Sequence, residues 1–585
     1  MPIPYPFLPL LSLKRNASFC GTPEPLSLAL RSNDLIQPEH TKVLVIGGGP
    51  AGSYAASALA REGVEVTVLE QAYFPRYHIG ESMIPSCRPF LRFIDVEEKV
   101  KARGFNVKKG AALKLNQYKR EGSIHSFVSH NPENAAWNVV RSEFDEILLR
   151  HASTSGANVI EGIRIESLEF DPPHDASTTP ASLRPVAANW IRSVDGSRGR
   201  IAFDWLVDAS GRNGILSNKY LKSRTFNPAL RNSAHWSYWR GAGKYAPGTK
   251  REGAPWFEAL TDQSGWAWFI PLHNGTTSVG VVVAEDVTRQ LKTQMRAERP
   301  ELDTPTLQRE FYARQLERAP GVQKLLADAT QVDNGRDTVR TAGDYSYSSS
   351  TYAGQNWRLA GDAGAFIDPF FSSGIHLALT GGLSAAATIA SVLRGQCTAE
   401  QSMKFHNAKI GTSYTRFLLV VLATYKQIRS QSAPVLSKVD EDNFDRAIDF
   451  LRPVIQGADA NHGLNSSDLN DAMDFCETAF SPMAASHEDD YAPLMQVHDM
   501  SALQSQEGAS RQEARAGNGH GPAGSHKLPE RKEDDQARTA LLRVHTQKAV
   551  FAMYSSDGYE QYFASEVLEG FYLKMKRGEL GIVEA

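Results

Sequence analysis

Residues 41–71 read TKVLVIGGGPAGSYAASALAREGVEVTVLEQ and decide the fold. Val43 to Ile46 form a continuous apolar run, the pattern of a strand covered on both faces in a parallel sheet. An Ala-rich stretch from Ala51 to Arg61 has helical composition, and Gly63 sits where a helix stops. A second apolar run, Val64 to Leu69, ends at Glu70, which completes a βαβ start in about 30 residues. Gly47, Gly49 and Gly52 set the GxGxxG fingerprint in its required place, after a strand and at the head of a helix. The first glycine makes the tight turn and the second lets backbone approach a pyrophosphate. The third, next to Ala51, lets helix and strand pack closely, with the helix N-terminus facing the phosphates. Glu70 is placed to accept a ribose hydroxyl. The bland alternative is a glycine-rich turn without a ligand; two strands and an acid in the right places argue against it.

Composition excludes several other classes. The 585 residues carry 63 basic and 66 acidic side chains, a net charge of −3. Nucleic-acid binding needs a concentrated positive field, so no nucleic-acid partner is expected. With 45 Gly and 30 Pro, collagen-like and wholly disordered chains are out. Cys20, Cys87, Cys397 and Cys476 include no CxxC pair, which speaks against a disulfide framework and for a reducing, cytoplasmic setting. The histidines show no HExxH or other ligand spacing, so no metal is assigned. No run approaches the ~18 uninterrupted apolar residues of a membrane span. Residues 1–40 lack a basic segment ahead of their proline-broken apolar stretch and read as a loose extension, with targeting as the minority reading.

Further along, 112–350 alternates short β-rich runs such as WAWFIPL and TTSVGVVVA with turns, which suits a sheet-based rather than a helical region. Helical periodicity dominates after about 400, residues 504–538 carry almost no large apolar side chains and read as a disordered linker, and YEQYFASEVLEGFYLKMK reads as a terminal helix. The expected division is a discontinuous nucleotide-binding domain (41–111, 135–215, 350–400), a β-rich substrate domain (112–134, 216–349) and a helical C-terminal region (401–503, 539–585).

Three more fragments bear on the cofactor. WRLAGDA (357–363) is a strand running into a Gly-Asp turn, Arg141 stands in VVRSEFDEILL, and DASGR (208–212) is a further strand end. The ordered set resembles FAD-dependent aromatic hydroxylases and their relatives. The resemblance implies an α/β (α+β) fold with a Rossmann-like FAD-binding domain and an inserted β-rich substrate domain. It also implies Asp362 at the ribityl chain and Arg141 near the flavin.

Two stretches are more specific. Trp266-Ala267-Trp268-Phe269-Ile270-Pro271 matches WxWxIP, and Phe366 to Gly374 (FIDPFFSSG) matches FxxPxxSxG; both are similar to flavin-dependent halogenases, over roughly 41–500. FPRYHIGESMIPS (74–86) and GFNVKKGAALKL (104–115) most resemble the fungal branch acting on phenolic polyketides in secondary metabolism. The resemblance implies that reduced FAD and O₂ give a flavin C4a-hydroperoxide that oxidises chloride or bromide to hypohalous acid. Period-two spacing puts Trp266 and Trp268 on one face of a strand, as a wall keeping the organic substrate from the flavin; alternating aromatics are otherwise usually a core pair. Ser373 and Gly374 would hold the halide at the head of a helix beginning near His376, where unpaired N–H groups and the dipole favour an anion. Ser373 equally suits an ordinary N-cap.

Hypohalous acid diffuses, so an amine is needed to capture and steer it. Register with GFxxKxGA assigns this to Lys108, with Lys109 one residue away on the other face; read alone, a Lys-Lys pair is a solvated surface pair. Tryptophan halogenases carry a glutamate just before SxG, where Phe371 stands here, which points to an electron-rich phenol instead of tryptophan. A separate NAD(P)H flavin reductase is the implied partner. The alternative readings are an FAD monooxygenase that inserts hydroxyl, and an FAD-binding scaffold without turnover.

Overall fold

A computed structural model describes residues 38–115, 117–118, 121–124, 135–172, 183–343, 346–429, 431 and 566–585. The expected N-terminal extension, the 504–538 linker and most of the region after 430 lie outside the described residues.

The quoted stretch forms β1 (His40–Ile46), α1 (Pro50–Arg61) and β2 (Val66–Glu70). Next come β3 (Asn106–Lys108), β4 (Ala111–Lys114), β5 (Ala136–Asn138), α2 (Arg141–Thr154), β6 (Asn158–Glu161) and β7 (Arg198–Asp208). The middle of the chain gives β8 (Asn232–Arg240), β9 (Trp256–Ala259), β10 (Gly265–Pro271) and β11 (Thr276–Ala284), then α3 (Glu285–Glu298) and α4 (Thr304–Leu316). It closes with β12 (Trp357–Leu359), α5 (Gly374–Leu393), α6 (Ala399–Arg429), β13 (Phe571–Lys574) and β14 (Gly581–Glu584).

Five strands of the first sheet run parallel in the order β12–β7–β1–β2–β6. The unbroken apolar run of β1 follows from cover on both faces: Val43 and Val45 join one core cluster, Leu44 and Ile46 the opposite one. The second sheet runs β8–β11–β10–β9–β4, antiparallel except that β4 pairs β9 in parallel with Ala112 opposite Trp256. Along β10 the alternation divides two cores. Trp266 and Trp268 face residues of α6 such as Phe417 and Tyr425, while Ala267 and Phe269 face Tyr312 and Leu316 of α4.

Two expectations need correction. The middle region is not purely sheet-based, because α3 and α4 pack on the second sheet. Within α4, Leu307/Phe311 and Tyr312/Leu316 are buried pairs at i, i+4, a helical stripe hidden among strand-like neighbours. The C-terminal region is also not helical throughout, for β13 and β14 form an antiparallel hairpin. Phe571, Leu573, Leu580 and Ile582 are buried, and Glu569 and Gly570 take left-handed backbone conformations that a helix does not accommodate. The hairpin docks on α5, where Ser391 Oγ accepts the Ile582 N–H at 2.7 Å. The earlier part of that expected helix, 559–565, lies outside the described residues.

By length and composition α5 could cross a membrane, although most of it is buried within the protein. Its small residues explain the burial: a Cβ on Gly382 would come within 2.6 Å of the Ala51 carbonyl of α1. It is a core helix that puts its N-terminus at the site.

Candidate active site

A cavity of about 530 Å³ is lined by Gly47 and Glu70 of the first sheet and by Trp266, Trp268 and Ile270 of the second. Its dinucleotide end is built by steric necessity. Gly47 has φ +104°, and a Cβ there would lie 2.3 Å from the Ala209 carbonyl oxygen. A Cβ on Gly52 would lie 1.9 Å from the Gly47 oxygen, so helix and strand touch as the fingerprint requires. Gly49 and Ala51 face the cavity, with the Arg76 guanidinium 3.4 Å from where a Gly49 Cβ would stand. Glu70 accepts the Gly48 and Ala72 N–H groups at 2.6 and 2.8 Å and keeps lone pairs on both oxygens for a sugar hydroxyl.

Asp362 lies on the cavity wall and its carboxylate makes no hydrogen bond to a described residue. Burial pushes its pKa up to about 6, against the pull of Arg141, Arg212 and Arg224. Arg141 also faces the cavity, but most of its donors are engaged within the protein. It grips Asp145 through Nε and Nη2 at 2.9 and 3.1 Å, and Nη1 donates to the carbonyls of Ile79 and Gly80. It therefore braces the 79–80 loop. An acid without a donor among the described residues, a glycine turn and a half-satisfied Glu70 form a cradle that fits FAD.

Trp266 and Trp268 both lie on the wall, ring centroids 5.8 Å apart. Gly280, opposite Trp268 across β10 and β11, makes room for the indole, since a Cβ there would meet the ring at 2.3 Å. The Trp268 indole N–H donates to Ser278 Oγ at 3.1 Å. That of Trp266 donates to Tyr425 Oη at 2.8 Å, and Tyr425 in turn donates to Asp368 at 2.7 Å. Asn232 completes this buried network with its 2.9 Å bond to Tyr425. Sequence reading missed Tyr425, Asn232 and the role of Asp368; only the Asp within FxxPxxSxG could have hinted at it.

In the loop before α5, Ser372 is left-handed (φ +58°) and on the wall, as is Gly374. Ser373 is fully buried behind them. Helix α5 starts at Gly374, two residues before the expected point, and the Ser373 side chain makes no capping bond; its hydroxyl has no partner among the described residues. The ordinary N-cap reading of Ser373 is thus corrected: its backbone is helical (φ −83°), not the extended form a capping side chain needs.

β3 separates the two lysines. Lys109 is exposed; Lys108 is buried and its Nζ donates to the Met83 carbonyl at 2.9 Å. Lys108 pairs with no carboxylate among the described residues, and burial lowers its pKa to about 8 despite the nearby Cys87. It is not on the wall of the 530 Å³ cavity. Its partner Met83 lies one residue beyond the wall residues Glu81 and Ser82, on the segment that bridges to β5 through Ser82 and Asn138.

A glycine-cradled dinucleotide site facing a chamber walled by paired indoles defines an FAD enzyme of the halogenase type. The chain belongs to the tryptophan halogenase family, whose pattern it matches over residues 42–135 and 129–452. It is 54% identical over 558 residues to the flavin-dependent halogenase armH1 of Armillaria mellea, covering 93% of this chain and 99% of that one. It is 51% identical over 428 residues to the sulochrin halogenase gedL of Aspergillus terreus, covering 72% and 76%. Its fold is similar to that of the myxobacterial chondrochloren halogenase CndH, at a TM-score of 0.58 and 25% identity, over 75% of this chain and 97% of that one. The chain is a flavin-dependent halogenase, and the hydroxylase and scaffold readings are set aside.

Proposed function

We propose that this enzyme halogenates an electron-rich phenol of the polyketide type, with Lys108 as the amine that captures and delivers the halogen. The observation that carries the proposal is the buried Lys108 ammonium, held by one carbonyl, with burial pulling its pKa down to about 8. When bound, reduced FAD from a separate NAD(P)H flavin reductase would supply, with O₂, the two-electron oxidation that turns chloride or bromide into hypohalous acid. Gly47, Gly49, Gly52, Glu70 and Asp362 would hold the cofactor. Gly374, with Ser373 behind it, would present the N-terminus of α5 to the halide. Trp266 and Trp268 keep the bulky substrate from the oxidising centre while a halide passes. The neutral Lys108 nitrogen attacks hypohalous acid, forming N–Cl and releasing water; the ring carbon then takes the halogen as the N–Cl bond breaks, and the displaced ring proton restores the amine. Delivery requires the substrate to reach the Met83 side of the Glu81–Ser82 wall. The sulochrin halogenase resemblance and Phe371 in place of a glutamate support a substrate that activates its own ring.

Protein supplied with a flavin reductase, NADH, chloride and a resorcinol-type phenol should yield product heavier by one chlorine for hydrogen. Lys108→Ala should lose chlorination at least about 100-fold while flavin oxidation continues, and Lys109→Ala should retain it. Normal chlorination by Lys108→Ala would overturn the assignment.

A further inference from the structure

Between the wall of the cofactor cavity and Lys108 lie three strands, and their register fixes which side chains share a face. Ser82 stands opposite Asn138 of β5 in an antiparallel bridge. The bridge is closed by its neighbours: the Met83 N–H donates to the Trp137 carbonyl at 3.1 Å and the Val139 N–H to the Glu81 carbonyl at 2.7 Å. In such a pair the opposed side chains come closest. On the other edge of β5, Asn138 stands opposite Asn106 of β3, and Lys108 opposite Ala136. The period of two therefore puts Ser82, Asn138, Asn106 and Lys108 on one face. Only the Ala136 methyl lies beside Lys108 on β5, which leaves its side chain room to cross to the Met83 carbonyl of the strand beyond.

Two polar atoms on this face have no partner among the described residues. Asn138 is fully buried; its Nδ2 donates to the Pro271 carbonyl at the end of β10 at 3.2 Å, and its Oδ1 bonds nothing. A carbonyl only accepts, so the amide must turn its NH₂ to Pro271 and its oxygen away. Ser82 is 7% exposed and lines the cavity, and its hydroxyl is likewise unbonded. Burying both without partners is unfavourable, so the pair fits a small guest. That guest must accept from a hydroxyl and donate to an amide oxygen. A halide ion cannot donate, and the Asn138 lone pairs repel it. Water meets both conditions, and so does hypohalous acid.

We propose that Ser82 and Asn138 bind hypohalous acid between the cavity and Lys108, Ser82 donating to its oxygen and Asn138 Oδ1 accepting its O–H. Both bonds are made at oxygen, so the halogen, the atom that the amine attacks, stays free to meet the Lys108 nitrogen. Water takes the same two bonds between turnovers and yields to the acid. No covalent bond forms or breaks here; the pair decides where the oxidant goes. Acid held at the pair reaches Lys108, and acid not held returns to the cavity and escapes.

The inference rests on the halogenation reading above, and the test separates the two. Wild type, Ser82→Ala, Ser82→Thr and Asn138→Leu are run with the reductase system, chloride, a resorcinol-type phenol and excess taurine, whose amine traps escaped hypochlorous acid as an N-chloro product. In Ser82→Ala and Asn138→Leu the ratio of chlorinated phenol to chlorinated taurine should fall at least about threefold, as expected for one lost hydrogen bond. The sum of the two products per flavin oxidised should hold, because the oxidant is redirected and not lost. Ser82→Thr keeps the hydroxyl and should restore the wild-type ratio. Asn138→Leu leaves the Pro271 carbonyl its bond from Asn106 Nδ2, 2.9 Å in the wild type. Ser82→Ala removes only an unbonded hydroxyl and should unfold in urea no earlier than wild type; should Asn138→Leu fail to fold, Ser82→Ala decides. A folded Ser82→Ala enzyme with the wild-type ratio shows that the pair holds water only, and overturns the proposal. A wild type that leaves every phenol unchlorinated overturns the functional reading instead.

Discussion

At Lys108 the cost of burying a charge becomes a chemical asset. An ordinary lysine holds its proton until above pH 10, so at pH 7 only roughly one in 2,500 is neutral; with a pKa of about 8, roughly a tenth is. If capture by the neutral amine limits the rate, halogenation should rise about tenfold between pH 7 and pH 9 and level off, whereas flavin oxidation should not follow that curve. A parallel pair of pH profiles checks this. The same shift carries a stability sign. The folded pKa lies below the unfolded one, so the unfolded chain binds more protons between pH 8 and 10.5. Stability therefore rises with pH through that window, and the full penalty, about 3 kcal/mol, applies below it. Lys108→Met removes the penalty but leaves the Met83 carbonyl without its donor, at about 1–2 kcal/mol. The inactive variant should then be more stable at pH 7 by about 1–2 kcal/mol in urea unfolding.

At the scale of elements, β10 and α6 must meet for the indole wall to be fixed. The Tyr425 hydroxyl accepts from Trp266 and donates to Asp368, whose own pKa burial raises to about 6. Tyr425→Phe leaves a buried indole N–H and a buried carboxylate each short of a partner. It should cost about 1–3 kcal/mol in thermal unfolding, and weaken chlorination more than flavin affinity by loosening both the wall and the loop of Ser372 and Gly374. Legibility in the sequence divides along the same line. The βαβ start and its glycines could be read because Gly52 against Gly47 and Glu70 on Gly48 are contacts within about 30 residues, although the approach of Gly47 to the Ala209 carbonyl is not, and the period-two spacing placed both indoles on one face. The bond from Trp266 to Tyr425 spans 159 residues and leaves no local pattern. Nor could spacing show that Ser373 withholds its hydroxyl from the helix it precedes, or that Lys108 points at a carbonyl.

Across the whole molecule, a sheet that binds the dinucleotide and a sheet that walls the chamber close on a shared interior. The C-terminal hairpin belongs to that interior. Its sequence looked helical because its apolar residues are dense, and two left-handed turn positions outweigh the propensity. Ile582 is 1% exposed in the same core cluster as Ala386 and Leu379 of α5. Ile582→Ala should cost about 2–5 kcal/mol and lower the melting temperature of the entire protein in a single transition, not a separate early one.

The crowding of indoles around one chamber has an optical consequence. Of nine tryptophans, Trp266 and Trp268 form the wall and Trp236 lies 6.4 Å from Trp268. Isoalloxazine absorbs where indole emits, so ultraviolet-excited emission should dim as flavin is added to the apoprotein, without any label. Trp266→Phe should shrink the amplitude of that quenching while leaving its midpoint in place, and a midpoint that moved several-fold would show the indole gripping the cofactor and not merely screening it. The enzyme carries its own gauge of occupancy in the side chains that shield its chemistry.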